Sequence, residues 1–344
     1  MPLLPPPLPQ RGKPKPASSA LLRNGCGART SRRRQLPRAI KDECCASLDR
    51  RRARRHEHVH LRPAQRAAVF AKFREKYMRN QKVAVVTGAS SGFGELTARL
   101  LAESGFKVFG TSRRSGAIGG GVEMLELDVT LQASVDGCIQ TVLTRGDTID
   151  VLVNNAGQTH ASLVEDTPIE TAMGVFDTNF WGVVRVTNAV LPTMRKKRSG
   201  LIINVSSLAG LVGVPGQGFY AASKHALEGY TETLQTELQQ FDIRVSLVEP
   251  GFFRTHLHHS MLRVSRGIPD YDSIRSTIES AISEAISGGG DPRDVAQKIV
   301  VVARSRQPKL RYRVGSDATW VPRWKTWLPE GWFMAGMRRR FHLK

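Results

Sequence analysis

Three residues in the middle of the chain could together move a proton to or from an alcohol oxygen. Tyr220 and Lys224 are four residues apart, so on a helix their side chains share one face. A nearby ammonium group favours the phenolate, which predicts a pKa for Tyr220 below its ordinary value. Ser207, thirteen residues before Tyr220, supplies a hydroxyl that could orient the same oxygen. The three residues predict acid–base chemistry on an alcohol or carbonyl group.

The charge of the chain is concentrated at one end. The 344 residues are 40% hydrophobic, enough for one large domain, and carry a formal net charge of +21. Residues 1–77 hold 20 Lys and Arg against 5 Asp and Glu, whereas the remainder holds 31 against 25. The charge therefore does not predict that the globular part binds nucleic acid. The sequence has no apolar run of about 18 residues, so we expect no spanning helix.

Cysteine usage predicts a reducing compartment. Three of the four cysteines lie within residues 1–77, and Cys138 is the only one beyond them, so no disulfide can form within the remainder. We therefore expect a cytoplasmic location. Three histidines alternate near two of the early cysteines, but no cysteine pair has the spacing that structural zinc prefers. We predict no metal site.

Residues 1–77 form a basic leader that we keep apart from the fold. Prolines crowd its first sixteen residues, and arginines cluster at 32–34 and 50–55. We expect a disordered segment, or translated sequence that precedes a start at Met78. Two alternatives remain open: a targeting segment, and a basic arm that binds nucleic acid or anionic membrane.

The rest of the sequence alternates between strands and helices. Short β-branched apolar runs predict strands at 82–87, 107–111, 122–127, 149–154, 200–205, 243–248 and 310–314. Helical patterns lie at 95–104, 131–145, 168–194, 219–240, 272–287 and 291–305. This alternation predicts an α/β fold, a doubly wound parallel sheet of about seven strands with helices on both faces. Ligands should bind at the carboxyl ends of the strands.

A glycine-rich turn joins the first predicted strand to the first helix. Its glycines permit a tight turn and a close approach of the backbone to a pyrophosphate at the helix N-terminus. The spacing is neither G-x-G-x-x-G nor a nucleoside-triphosphate phosphate loop, because Glu95 follows the last glycine. The predicted cofactor contacts in this turn are Thr87, Gly88, Ser90, Ser91, Gly92, Phe93 and Gly94.

With these motifs the chain resembles the short-chain dehydrogenase/reductase family in its single-domain form. Residues 87–94 match the family's Thr-Gly-x-x-x-Gly-x-Gly, residues 154–157 its Asn-Asn-Ala-Gly, and Ser207 and Tyr220-x-x-x-Lys its catalytic motif. The resemblance is firm over 78–255 and looser over 256–344. It implies a Rossmann-type fold for 78–344, NAD(P)-dependent interconversion of alcohols and carbonyls, and a homo-oligomer, dimer or tetramer. In style the sequence is similar to the steroid/retinol dehydrogenase-like branch.

The resemblance also implies a role for each motif residue. Ser207, with Ser206 as its rival, would orient the substrate oxygen, and Tyr220 would exchange the proton. Lys224 would hold the nicotinamide ribose, and Asn179 would position a water linked to Lys224. The further cofactor contacts that it implies are Tyr220, Lys224, Asp128, Val129, Asn155, Ala156, Gly157, Pro250, Gly251 and Thr255.

The end of the second strand favours NADP(H) over NAD(H). A carboxylate there would bind the ribose 2′-hydroxyl, whereas arginine accommodates a 2′-phosphate. The strand ends in Ser112, Arg113 and Arg114, without an acid. Guanidinium groups bind phosphate through paired, charge-assisted hydrogen bonds. These three residues are therefore predicted 2′-phosphate contacts. NAD(H), with both arginines merely solvated, is the alternative.

The substrate side is predicted to be apolar. Residues 256–290 would form a lid hinged at Gly251 and at 288–290, and its histidines would be polar surface groups rather than catalytic ones. A bulky, lipid-like alcohol or ketone would suit the predicted wall. Its direct substrate contacts would be Ser207, Leu208 and Phe252, and its further members Val212, Val214 and Phe253.

The C-terminal segment carries four tryptophans between 320 and 332, followed by Arg338–Arg340. A basic amphipathic helix of this kind could contact a membrane surface, although packing against the lid or a partner subunit is favoured. A serine hydrolase is excluded, since Ser207 does not stand in G-x-S-x-G. The remaining alternative to an enzyme is a non-catalytic NADP-binding regulator on the same scaffold.

Overall fold

A computed structural model of the chain describes residues 81–114, 116–254 and 267–343, all within one compact unit. A parallel sheet of seven strands forms its centre, in the order β3-β2-β1-β4-β5-β6-β7. The strands are β1 (Val83–Val86), β2 (Lys107–Ser112), β3 (Val122–Glu126), β4 (Val151–Asn154), β5 (Gly200–Val205), β6 (Ile243–Pro250) and β7 (Arg311–Val314). The strand order reverses between β1 and β4, where such sheets bind ligands.

The described residues form nine α-helices. They are α1 (Gly92–Glu103), α2 (Gln132–Gly146), α3 (Ile169–Phe176), α4 (Gly182–Lys197), α5 (Gly218–Leu238), α6 (Asp272–Ser287), α7 (Pro292–Arg304), α8 (Ser316–Trp327) and α9 (Glu330–Arg340). A π-helical turn, Asp177–Trp181, joins α3 to α4. None of the helices among the described residues has the length and apolarity needed to cross a bilayer.

Apolar side chains fill both faces of the sheet because alternate residues of each strand point to opposite sides. In β1, Val83 and Val85 pack with α2, α4 and the end of α5, whereas Ala84 and Val86 pack with α1 and α7. All four are at most 2% exposed. A third cluster joins the segment after β5 to α6, α8 and Phe341. Residues at the carboxyl ends of β1, β4 and β5 are thus held on a rigid frame.

The predicted fold is confirmed, with three differences in its elements. The first helix begins at Gly92 rather than at 95, because the glycine-rich turn already enters it. The predicted helix 168–194 is divided by the π-helical turn, and the C-terminal segment forms two helices rather than one. Thr255, the lid histidines and the leader lie outside the described residues.

Candidate active site

The turn after β1 is shaped for a close approach of the backbone to a ligand. Gly88 and Gly92 have positive φ angles of 66° and 57°, which L side chains rarely adopt. A Cβ on Gly94 would lie 2.2 Å from the Gly88 carbonyl oxygen and 2.4 Å from Asn155 Nδ2, so only glycine fits. The α1 N-terminus begins in this turn and presents backbone N–H groups. The cradle therefore suits a pyrophosphate.

The segment after β4 is locked to this turn. Asn155 Nδ2 donates to the carbonyl oxygens of Thr87, at 2.9 Å, and Gly88, at 3.1 Å. Thr87 Oγ1 accepts from the backbone N–H groups of Asn155 and Ala156, both at 3.0 Å. Asn154 instead turns into the core, where it bonds side chains of α4 and β5. The two motifs form one rigid unit.

The end of β2 presents positive charge. Arg113 and Arg114 are both exposed, and the Ser112 hydroxyl donates to the Arg114 carbonyl oxygen, which closes the turn. Burial acts to raise the pKa of Asp128, but hydrogen bonds from Thr130 and the charge of Arg113 outweigh it, so this pKa lies below its ordinary value. Arg113 therefore lies within electrostatic reach of Asp128, the carboxylate that follows β3.

The structure brings Ser207, Tyr220 and Lys224 together. Ser207 follows β5, and the other two lie on the first turns of α5. The Ser207 side chain lies close enough to the Tyr220 hydroxyl to act on its pKa. Lys224 Nζ lies 5.9 Å from the centroid of the Tyr220 ring and donates to the Val205 carbonyl oxygen at 2.8 Å. Ser206, the rival serine, is buried, and its hydroxyl has no hydrogen-bond partner among the described residues.

The expected fall in the Tyr220 pKa is wrong for this structure. Burial raises the pKa of Tyr220, and the hydrogen bond with Ser207 only partly opposes it. Burial also lowers the pKa of Lys224 to about 8, against the charge of Glu228. Loss of hydration outweighs the attraction between the two groups because the ammonium is aimed at the Val205 carbonyl. Tyr220 is therefore a phenol near neutral pH and has a proton to donate.

Asn179 fastens the segment after β4 to α5. It is fully buried in the π-helical turn. Its Oδ1 accepts from the Gln158 N–H at 2.7 Å, and its Nδ2 donates to the Gln158 carbonyl oxygen at 2.9 Å and to Ser223 Oγ at 3.1 Å. Gln158 and Ser223 were not singled out from the sequence. The expected water-positioning role of Asn179 stays a prediction.

A buried charge network behind Lys224 was also missed. Arg311 pairs with Glu228 and, at 2.6 Å, with Glu249, whose side chains are 7% and 0% exposed. Burial and the charge of Glu249 raise the pKa of Glu228 to about 7, even though Arg311 opposes the shift. The one signal in the sequence was that Glu228 follows Lys224 by four residues on the same helix. Arg311 is 83 residues away from Glu228 and belongs to no motif.

Replacing Glu228 with glutamine should flatten the dependence of stability on pH. The folded-state pKa is about 7 against an ordinary 4.5, so the contribution of this group is fully present below pH 4.5 and is lost as the pH rises through 7. We expect the variant to gain about 2 kcal/mol relative to wild type between pH 5 and pH 7.5, measured by urea unfolding. Glu232→Gln is the control, because Glu232 also pairs with Arg311 but its side chain is exposed. Equal slopes for Glu228→Gln and wild type would contradict the assignment.

An apolar cavity of about 730 Å³ reaches Leu208, the residue after Ser207, although Ser207, Tyr220 and Lys224 are not among its lining residues. The residues of the predicted apolar wall form one side of it. They are Leu208, Val212, Val214, Phe252 and Phe253. The sequence did not predict that α8 and α9 form its other side. The residues that they contribute include Trp320, Val321, Trp324, Phe333, Met337 and Arg340.

The predicted hinge glycines are sites of close packing. A Cβ on Gly251 would lie 1.9 Å from Asp317 Oδ1, and Asp317 Oδ2 accepts from the Phe252 N–H at 2.7 Å. A Cβ on Gly289 would lie 2.6 Å from the Phe252 carbonyl oxygen, and one on Gly290 2.6 Å from the Phe253 ring. Close packing therefore accounts for glycine at these three positions, and a hinge is not needed to explain them. Asp317 also lines the cavity, and no pattern in the sequence indicated this position.

The frame and the site define a short-chain dehydrogenase. Residues 82–264 match the family model for short chain dehydrogenases, and the chain belongs to that family. It is 38% identical over 261 residues to a 3-ketodihydrosphingosine reductase of Bacteroides thetaiotaomicron, covering 75% of this chain and 97% of that protein. It is 37% identical over 272 residues to bovine retinol dehydrogenase 8, covering 73% and 86%. The chain is therefore an NAD(P)-dependent oxidoreductase.

Solved structures share this fold. A short-chain dehydrogenase from Streptomyces avermitilis is 35% identical, with a TM-score of 0.62, over 70% of this chain and 90% of that one. A family member from Burkholderia phymatum was solved with NAD. It is 26% identical, with a TM-score of 0.61, over 68% of this chain and 89% of that one. An alcohol dehydrogenase from Thermococcus sibiricus was solved with 5-hydroxy-NADP. It is 25% identical, with a TM-score of 0.56, over 68% of this chain and 96% of that one. Both cofactors therefore occur among the neighbours.

Proposed function

We propose that this oxidoreductase uses NADP(H) to interconvert an alcohol and a carbonyl group on an apolar, lipid-like substrate. The observation that carries the proposal is the grouping of Ser207, Tyr220 and Lys224, together with a nearby cavity of about 730 Å³ whose walls are mostly apolar. Ser207 is followed directly by Leu208, which lines that cavity. The serine of the acid–base group and a residue of the apolar wall are therefore neighbours along the chain.

The residues of the turn after β1 fit the cofactor. The glycine cradle and the α1 N-terminus would hold the pyrophosphate, and Asp128 and Val129 would contact the adenine side. Arg113, with Ser112 and Arg114, would bind the 2′-phosphate, because two exposed guanidinium groups follow β2 and no carboxylate does. When bound, the nicotinamide supplies or accepts the hydride.

The side chains of this protein would handle the proton. Tyr220, whose raised pKa keeps it a phenol, would donate its proton to the substrate oxygen during reduction and regain one afterwards. The Ser207 hydroxyl would donate a second hydrogen bond to that oxygen and orient it. The Lys224 ammonium would stabilise the phenolate left on Tyr220 and bind the ribose hydroxyls. In oxidation the same groups would act in reverse.

The cavity and the relatives together support the substrate class. Aromatic and aliphatic side chains from both the β5 segment and the C-terminal helices line the space. Two relatives are named for 3-ketodihydrosphingosine and for retinol, each of which has a long hydrocarbon part. A long-chain or polyene carbonyl compound would bury more apolar surface here than a short polar one.

A screen of NADPH oxidation against long-chain 3-keto lipids, retinoids, steroids and short polar ketones tests this function. We expect turnover with at least one apolar class and an at least tenfold lower kcat/KM with short polar ketones, about 1.4 kcal/mol of lost apolar contact. Retained NADPH binding without oxidation across the panel would favour the non-catalytic alternative.

We further propose a cytoplasmic homo-oligomer. The buried Cys138 thiol is the only cysteine among the described residues, which suits a reducing compartment. Ile169 and Met173, one turn apart on α3, are 62% and 66% exposed and would become buried in a subunit contact. Sedimentation equilibrium tests the assembly, and a monomer at micromolar concentration would contradict it.

A further inference from the structure

The hairpin formed by α8 and α9 has a fully exposed tip. Ten consecutive residues, 323–332, are exposed, including the connection Leu328-Pro329. Trp324, Trp327 and Trp332 in this tip are 49%, 68% and 73% exposed. Four of the five tryptophans of the chain lie on these two helices. Large apolar side chains concentrated in this way mark a contact surface.

The tryptophans of α8 lie on one face of the helix. Trp320, Trp324 and Trp327 are spaced at i, i+4 and i+7, so their side chains line up along it. Ala318 and Pro322 are buried and hold the helix to the body. The tryptophan face is therefore presented outward by a rigidly packed helix.

Basic side chains accompany these tryptophans. Residues 316–343 contain five Arg and Lys against two acids, Asp317 and Glu330. The Arg323 guanidinium lies 5.0 Å from the centroid of the Trp320 ring, and Arg338–Arg340 are exposed at the end of α9. Tryptophan prefers the boundary between water and lipid, and arginine is attracted to anionic headgroups. The combination is typical of helices that lie in a membrane interface.

We propose that the hairpin surface, residues 320–340, docks on an anionic phospholipid bilayer. A second copy of the chain is a poorer occupant, because a two-fold contact through this surface would bring its five basic residues against the same five. Trp320, Trp324, Leu328 and Trp332 also line the cavity, so docking places the cavity mouth against the lipid. An apolar substrate could then enter the cavity directly from the bilayer. Only this consequence rests on the proposed function.

Flotation of the full-length protein with extruded vesicles tests the docking. The vesicles are phosphatidylcholine with 30% phosphatidylserine, in about 0.15 M and about 0.5 M NaCl, without substrate or cofactor. The higher salt screens attraction to the leader, residues 1–77, which hold 20 basic against 5 acidic residues. We expect wild type to remain bound at both salt concentrations. The double variant Trp327→Ser/Trp332→Ser should bind at least about tenfold more weakly in high salt.

The matched control is Leu131→Ser/Val301→Ser, which removes two side chains of 58% and 61% exposure from other faces. It should bind as wild type does. Brominated lipids should quench most of the tryptophan fluorescence of the wild type, and circular dichroism should report the same fold for all variants. Equal binding by wild type and the tryptophan variant, or absent quenching, would overturn the proposal. So would a shift of the tryptophan variant from dimer to monomer with vesicle binding unchanged, since that would assign the surface to a second copy.

Discussion

Tyr220→Phe should lower kcat at least about a hundredfold while leaving cofactor binding intact. The change removes one oxygen, the atom beside Ser207 that would donate the proton to the substrate. The ring remains to fill its place beside Lys224, and the glycine cradle is untouched. Steady-state kinetics give kcat, and titration of nucleotide fluorescence gives the dissociation constant for NADPH.

Tyr230→Phe is the matched control for this variant. Tyr230 lies on the same helix, α5, but its ring packs against Phe180 and the apolar core rather than beside Lys224. We expect it to keep most of the wild-type turnover. A Tyr220→Phe variant that retains a tenth or more of the wild-type kcat would remove Tyr220 from the acid–base role.

Arg113→Asp should shift the cofactor preference from NADPH towards NADH. The change removes a guanidinium that would bind the 2′-phosphate and adds a carboxylate that repels it and can accept from a 2′-hydroxyl. A charge-assisted hydrogen bond contributes about 1.5–3 kcal/mol, so kcat/KM for NADPH should fall about 10-fold to 100-fold. The ratio of kcat/KM values for the two cofactors, with one carbonyl substrate, is the measurement.

Arg114→Asp separates the two neighbouring arginines. Both side chains are exposed, so neither substitution should unfold the protein. The charge of Arg113 acts on Asp128, the proposed adenine contact, whereas no such effect of Arg114 on Asp128 is found. We therefore expect the smaller shift for Arg114→Asp. Unchanged NADPH selectivity in both variants would contradict the assignment of this cofactor.

The strands and the motifs at their ends could be predicted because their signals are local. A buried parallel strand such as β5 is a short apolar run, and its bounds of 200–205 were predicted as the structure has them. The turn at 87–94 was found because Gly88, Gly92 and Gly94 answer backbone requirements within eight residues. The start of α1 was missed by three residues, since those glycines belong to both the turn and the helix.

The electrostatics of the site could not be predicted, because they depend on burial and on residues distant in sequence. The spacing of Tyr220 and Lys224 indicated attraction, but the structure adds the loss of hydration that raises one pKa and lowers the other. The carboxyl of Glu228 meets Arg311 only because β7 pairs with β6. No local pattern indicates such a meeting.

The far wall of the cavity escaped prediction for a related reason. The tryptophans of the C-terminal segment were recognised from the sequence. The direction in which their side chains point depends on how α8 packs through Ala318 and Pro322. The break at Leu328-Pro329 divides the segment into two helices, and Pro329 was the available signal for it. The π-helical turn that holds Asn179 carried no signal that we recognised.

The most direct test of the catalytic account follows a labelled hydrogen. The full-length protein is incubated with an apolar ketone from the active class and NADPH deuterated at the transferred position, and the alcohol is analysed by mass spectrometry. The account predicts one deuterium on the carbinol carbon, and at least about a hundredfold slower formation of this labelled alcohol by Tyr220→Phe. Alcohol without deuterium, or no alcohol from any ketone that binds, would contradict it.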